Sequence, residues 1–389
     1  MRRAALALGA LVALSACAPQ ASGPVFSGGV APAPGGGLPP GPPPRTKVAL
    51  LLPLTGSNAA LGQAMLNAAQ LALFEQGAPG FEFVPRDTGG TSQGAAEAAR
   101  SAIAGGARVL VGPLTSAETS AAAVPARAAS VPMLPFTNDS NQATPLVWPL
   151  GITPAQQMRR LVAAANAQGA TRFALAAPSG AFGRQLAAGL QSAAKDLGLP
   201  APLMLSYPAA AAPALAARDV AAQLQPGEGG APRADVLILS EAGTRAREFA
   251  AGLVAGGVAV PPMKLAGTSL WAQDTTLAQE AALNGAWFPG GDPNARAQFE
   301  SRFQAAFGER PSRVVGVAYD AAAIAARAIR GQPDAVPPMP VGEMILGADG
   351  AFRLGPNGEV QRALAVFALT PGIDGQVVQP AELPGTAAF

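Results

Sequence analysis

Along most of this chain, short continuous apolar runs alternate with longer stretches whose apolar residues recur at helical spacing. Lys47-Val48-Ala49-Leu50-Leu51-Leu52-Pro53 is apolar without interruption after its lysine, the pattern of a strand buried on both faces. Leu54-Thr55-Gly56-Ser57-Asn58 reads as a turn, and Leu61, Met65, Ala68, Leu71, Ala72 and Phe74 place a helix over 60–76. The order then repeats: a strand over 81–87, a helix from Thr91 or Ser92 to about 104, a strand over 108–113, a helix over 116–130 and a strand over 131–134. A second series follows, with helices over 154–168, 182–197, 213–224 and 244–255 and strands over 172–176, 204–207, 235–240 and 264–267. Strand and helix in strict alternation predict parallel sheets with helices on both faces, here as two similar halves in tandem. Beyond Pro289 the pattern changes to two helices, 293–307 and 314–330, with no strand between them. A hairpin over 350–360, turning at Asn357-Gly358, and a strand over 363–369 close the ordered part.

The first residues follow a different pattern. Arg2-Arg3 precede an apolar run over 4–16, too short to cross a bilayer, which takes about 20 residues. Leu14-Ser15-Ala16-Cys17 ends that run with small residues and the only cysteine, which reads as an export signal over 1–16. The tetrad resembles a bacterial lipobox, and the resemblance implies cleavage before Cys17 and a lipid on its thiol. Ala18 and Pro19 follow, with no Asp beside the cysteine, which suggests an outer-membrane address. Residues 17–45 are dominated by Pro, Gly, Ala and Ser and cannot bury enough apolar surface to offset chain entropy. They are expected to be a tether, whose ~27 residues over 18–44 reach up to ~80 Å at about 3.1 Å each.

Composition narrows the chemistry. The 389 residues contain 26 Lys and Arg, 24 Asp and Glu, and no histidine. Loss of Arg2 and Arg3 with the leader brings the charge to about zero, so no basic face for nucleic acid is expected. With no histidine and its one cysteine lipidated, the chain lacks the residues of a Ser-His-Asp hydrolase, a cysteine enzyme or a zinc site. No catalytic residue, metal or cofactor is expected, and the chain is read as not an enzyme.

Three passages carry a resemblance to a known family. They are Val48 to Gly56 with Leu61-Gly62, Val111-Gly112-Pro113-Leu114-Thr115-Ser116 answered by Val131 to Phe136, and Phe182-Gly183-Arg184 with the closing Phe352 to Gly358 hairpin. As an ordered set they resemble the leucine-binding family of type I periplasmic binding proteins. Phe136-Thr137-Asn138-Asp139, the lack of disulfides and the lipobox look most like its penicillin-binding-protein activator branch, without that branch's usual N-terminal helical-repeat domain. The resemblance implies an α/β, periplasmic-binding-protein-like type I fold of two three-layer α/β/α lobes with parallel sheets and a hinge of three crossovers. The first lobe is expected over 46–150 plus 290–362, the second over 151–289 plus 363–375, with a tail over 376–389.

In open α/β sheets ligands sit beyond the carboxyl ends of the strands. That rule places Ser57, Asn58, Thr115, Ser116, Thr137, Asn138 and Asp139 on the first wall of a cleft, and Phe182, Glu241 and Trp271 on the second. Six of them have an alternative. The resemblance implies that Thr115-Ser116 holds a ligand carboxylate at a helix N-terminus; Ser116 as an N-cap needs no ligand. Asn138-Asp139 binds a polar ligand or forms an Asx turn. Phe182 stands where amino-acid binders often carry a Tyr, so the hydroxyl is lost. Glu241 is the best carboxylate for a ligand ammonium, or a solvated or capping acid. Trp271 stacks on a ligand or covers the hinge. Asp320, mid-helix, reads as structural. Two roles follow: a regulator of a peptidoglycan synthase (a penicillin-binding protein), or a receptor that passes an amino acid or similar small polar molecule to an ABC permease. In either, the protein is expected in the periplasm, meeting the membrane through its lipid alone.

Overall fold

A computed structural model describes residues 46–76, 81–225, 232–330, 337–371 and 373–383. The signal, Cys17 and the tether expected over 1–45 lie outside these residues. The apolar run Thr46–Leu52 is β1, and it lies inside a parallel sheet with β2 (Phe81–Asp87), β3 (Ala107–Val111) and β4 (Met133–Leu134), in the order β2-β1-β3-β4. Alternate residues of β1 serve opposite faces: Val48, Leu50 and Leu52 join one apolar core, and Ala49 and Leu51 join another. Helix α1 (Ala59–Gln76) covers the first face; α2 (Ser92–Ala104) and α3 (Ser116–Ala128) pack together on the second. Burial on both faces explains why β1 carries no polar alternation.

The second sheet repeats the plan. Helix α4 (Pro154–Asn166) leads to β5 (Phe173–Pro178), then α5 (Ala181–Asp196), β6 (Leu203–Tyr207), α6 (Pro213–Leu224), β7 (Val236–Leu239), α7 (Gly243–Ala255) and β8 (Lys264–Ala266). Short 3-10 turns over Ser269–Gln273, Thr275–Gln279 and Ala281–Leu283 lead to β9 (Trp287–Gly290). The chain then returns to the first lobe as α8 (Pro293–Phe307) and α9 (Gly316–Ala328), with α9 packed along α1. An antiparallel sheet of β10 (Met344–Gly347), β11 (Gly350–Leu354) and β12 (Val360–Arg362) follows, the last two joined by the predicted Asn357-Gly358 turn. Finally β13 (Leu364–Thr370) and β14 (Ile373–Glu382) extend the second sheet to the order β14-β13-β9-β8-β7-β5-β6.

Two α/β/α lobes result, each with an apolar core on either side of its sheet. The chain crosses between them after β4, after β9 and between β12 and β13. This is the periplasmic-binding-protein-like type I fold. The expected tail needs correction: Gln376 to Glu382 belong to β14, antiparallel to β13. Arg160 fastens that strand, donating Nη1 to Glu382 at 2.9 Å and Nη2 to the Pro380 carbonyl at 2.6 Å. Strands β9 and β10 were not expected either. Pro289 interrupts the apolar pattern of the first, and the second alternates over only four residues, with Met344 and Leu346 exposed.

Candidate functional site

Between the lobes lies a cavity of about 540 Å³. Its walls are the segments that follow the carboxyl ends of parallel strands and open the next helices or turns: Leu114 to Ser116 after β3, Phe136 to Asp139 after β4, Ala181 and Phe182 after β5, and Ser269, Leu270, Ala272 and Gln273 after β8. The crossovers close its back with Leu150 to Ile152, Gly290, Gly291 and Arg362, the segment before α9 adds Arg313 and Val314, and the first turn of α9 adds Val317.

Each wall is positioned locally. Gly112 carries φ of +89°, and a Cβ there would lie 2.3 Å from the Leu51 carbonyl oxygen, so only glycine lets the chain turn from β3 into Leu114. Thr115 then caps α3, its Oγ1 accepting from the Glu118 N–H at 3.2 Å. The Glu118 carboxylate accepts in return from the Thr115 N–H and hydroxyl at 3.0 and 2.8 Å. The cap is therefore Thr115, not Ser116 as expected, and Thr115 has already placed its proton. Thr88 donates to the other Glu118 oxygen at 2.7 Å, which satisfies this buried carboxylate. Thr115→Ala is expected to cost about 1–2 kcal/mol, because it removes a cap and a donor to a buried acid. Urea unfolding would measure the loss, and an unchanged midpoint would contradict the capping role.

Ser116 and Asp139 meet across the first wall. Ser116 Oγ donates to Asp139 Oδ2 at 2.5 Å, and Gln142 Nε2 donates to Ser116 Oγ at 3.2 Å and to the same Asp139 oxygen at 3.4 Å. Asp139 Oδ1 accepts from the Asn141 N–H at 3.0 Å, the expected Asx turn. It also accepts at 2.8 Å from Gln185 Nε2, on α5 of the opposite lobe. Burial pushes the Asp139 carboxyl up, but the donors Ser116, Asn141, Gln142 and Gln185 together outweigh it and hold it below its ordinary value. Asp139 therefore presents a persistent negative charge.

The second wall rests on Gln157, whose Oε1 accepts from the Ser269 N–H at 2.8 Å. At the back, Arg362 donates Nε to the Leu150 carbonyl and Nη2 to Asp320, each at 3.0 Å, with both side chains almost fully buried. Asp320 is thus structural, yet it sits directly behind a cavity residue. Buried Arg296 donates to the carbonyls of Ser312 and Arg313, both at 3.0 Å, and fixes the segment that carries Arg313 and Val314.

Of the ten cleft residues expected from the sequence, Thr115, Ser116, Thr137, Asn138, Asp139 and Phe182 line the cavity. Four do not. Ser57 and Asn58 are exposed on the loop after β1. Asp87 draws that loop toward β2, the far edge of the sheet, accepting from the N–H groups of Leu54 and Thr55 and the Thr55 hydroxyl. Glu241 is neither solvated nor a cap nor free for an ammonium. It is buried, accepts from Tyr207 at 3.0 Å and pairs with Arg245 at 2.9 Å. Burial pushes its carboxyl up, and the bonds from Arg245 and Tyr207 more than reverse this. Trp271 is buried as well, its Nε1 donating to the Glu241 carbonyl at 2.8 Å, while its neighbours Leu270 and Ala272 face the cavity. Gln185, Asp349 and Arg362 line the cavity without a sequence signal. Gln185 alone was within reach of inference, lying one turn after Phe182 on the same helix. Among the described residues, no group of three acidic, Cys or His side chains is placed to hold a metal ion.

The fold has many solved relatives. A protein assigned as a branched-chain amino acid ABC transporter in Rhodospirillum rubrum superposes with a TM-score of 0.73 at 21% identity, covering 86% of this chain and all of its own. A solute-binding protein of an R. palustris ABC transporter, in complex with benzoate, gives 0.63 at 18% identity, covering 89% and 99%. The branched-chain amino acid transporter substrate-binding protein of Streptococcus pneumoniae, in complex with isoleucine, gives 0.59 at 19%, covering 87% and 100%. Compared by sequence with curated proteins, the chain matches none. The family model described as periplasmic binding protein matches residues 45–337. With both lobes, their crossovers and the cleft between them in place, this chain belongs to the periplasmic binding protein family.

Proposed function

We propose that this protein is an extracytoplasmic receptor that takes up a small molecule in the cleft between its lobes and delivers it to an ABC permease. The observation that carries the reading is the cavity itself. At about 540 Å³ it falls within the range of small-molecule sites, and a mainly apolar lining surrounds a few polar groups that converge from both lobes. The relatives in complex with isoleucine and with benzoate support the same reading. The periplasm is the matching compartment, and the sequence around Cys17 supports attachment there by lipid.

Regulation of a peptidoglycan synthase is the second reading. It is supported by the Phe136-Thr137-Asn138-Asp139 resemblance. A receptor is favoured over it because the cavity is open and walled by both lobes. The deciding experiment is a thermal-shift screen of amino acids, aromatic acids and amines. A ligand at 100 times its Kd adds about 2.7 kcal/mol of stability. Val314→Trp, at a 40% exposed position on the cavity, should abolish the shift without lowering the unliganded melting temperature. No shift from any compound, together with capture and stimulation of a penicillin-binding protein, would replace the receptor reading with the regulatory one.

A further inference from the structure

We propose that the cleft selects an apolar ligand through a protonated amine directed at Asp139, and that it excludes a ligand presenting a carboxylate to that wall. The inference rests on the receptor reading and specifies the class of molecule received.

Among the polar groups that line the first lobe, Thr137, Asn138 and Arg313 included, the two hydroxyls at the head of α3 are already committed. Thr115 spends its hydroxyl proton on Glu118, and Ser116 spends its own on Asp139. What faces the cavity is the Asp139 carboxylate, whose donors Ser116, Asn141, Gln142 and Gln185 are all neutral. The negative charge is solvated by these groups and neutralised by none of them. A ligand carboxylate arriving here would find both hydroxyls committed and a like charge beside it; an ammonium would find an opposite charge in a partly dry site. The bonds from its four partners keep Asp139 ionised well below neutral pH, so the discrimination does not depend on a particular acidity.

Gln185 marks where such an amine would sit. It reaches across from the second lobe, and its Nε2 stands 2.8 Å from Asp139 Oδ1. An amide NH2 there stands in for the N–H donors of an amine, at a hydrogen-bonding distance typical of nitrogen on a carboxylate. Exchange of this neutral donor for a charged one strengthens the bond to Asp139. The remainder of the ligand would contact Leu114, Phe136, Phe182, Leu270, Val314 and Val317, none of which brings a polar side chain. The Arg362 guanidinium, also on the cavity, is already shared between Asp320 and the Leu150 carbonyl.

Calorimetric titration of the protein with phenethylamine and with 3-phenylpropionate separates the possibilities, since the two probes share an apolar body and differ in charge. Phenethylamine is expected to bind at least tenfold tighter than 3-phenylpropionate. Asp139→Asn retains the side-chain oxygen that accepts from Asn141, so the turn should persist; it should weaken the amine at least tenfold and leave the acid no weaker. Gln185→Leu removes the competing donor and should strengthen the amine. Tighter binding of 3-phenylpropionate by the unaltered protein, or amine affinity unchanged in Asp139→Asn, would overturn the proposal while leaving the receptor reading intact. Failure of both probes with all three proteins would overturn the proposal, and a blank thermal-shift screen besides would remove the receptor reading as well.

Discussion

Arg362→Met is expected to destabilise the protein by about 3–5 kcal/mol at pH 8, the usual consequence of removing one partner from a buried ion pair. Asp320 has essentially no exposed surface, and Arg362 is its charged partner at 3.0 Å. Burial pushes the Asp320 carboxyl up to about 6, with the Arg362 charge the largest influence holding it down and the Ala348 N–H the next. Without Arg362 the folded-state value rises further above the unfolded one, which is about 3.9. A group shifted in that direction contributes stability that is complete below the unfolded value and is lost as pH rises through the folded value. The deficit of the variant should therefore be largest at pH 8 and should shrink toward pH 5, where its Asp320 is protonated and no charge is stranded. Urea unfolding at both pH values measures this, provided the slope of the transition is unchanged. Asp320→Asn combined with Arg362→Met should be more stable at pH 8 than Arg362→Met alone. A deficit that is equal at pH 8 and pH 5 would mean that lost packing over Phe352, not the stranded carboxylate, causes it.

The same pair shows what a linear sequence conceals. Asp320 and Arg362 are 42 residues apart, and Asp139 and Gln185 are 46 apart, each pair joined across separate elements. No periodicity links such positions, because the partnership exists only once α9 has packed behind β12 or the two lobes have met. The elements themselves were legible for the opposite reason. Runs such as Val48 to Leu52 or Val236 to Leu239 are apolar throughout because helices cover both faces of their sheets, and that requirement is local to each strand. The strands that escaped notice obey weaker constraints. Trp287–Gly290 carries a proline at the point where the chain is about to leave the sheet, and Ile373–Glu382 pairs along an outer edge where polar residues cost little. The rule that clefts lie at strand carboxyl ends located six of the cavity residues. It failed at Ser57 and Asn58, where Asp87 folds the loop away, and at Glu241, where Tyr207 and Arg245 already occupy the carboxylate.

Trp271→Ala is expected to cost about 3–5 kcal/mol and to weaken ligand binding as a consequence, although the indole never reaches the cavity. The ring is 1% exposed and fills the space left by Gly267, where an added Cβ would stand 2.0–2.4 Å from its atoms. It also anchors the 3-10 turn Ser269–Gln273 to the end of β7 through the bond from Nε1 to the Glu241 carbonyl. Ser269, Leu270, Ala272 and Gln273 form the second-lobe wall on the other side of the same turn, so their placement depends on this anchor. Truncation leaves a large void beside Gly267 and frees the wall to shift, so stability and affinity should fall together. Trp271→Phe loses the hydrogen bond and part of the ring volume but keeps an aromatic ring in the slot, and should retain more of both. A tryptophan that stacked on the ligand would behave differently: its removal would lower affinity while the urea midpoint stayed where it was. Paired measurement of the midpoint and of probe affinity for the two variants therefore separates a residue that builds the wall from one that touches what binds there, and the buried Nε1 hydrogen bond argues for the first.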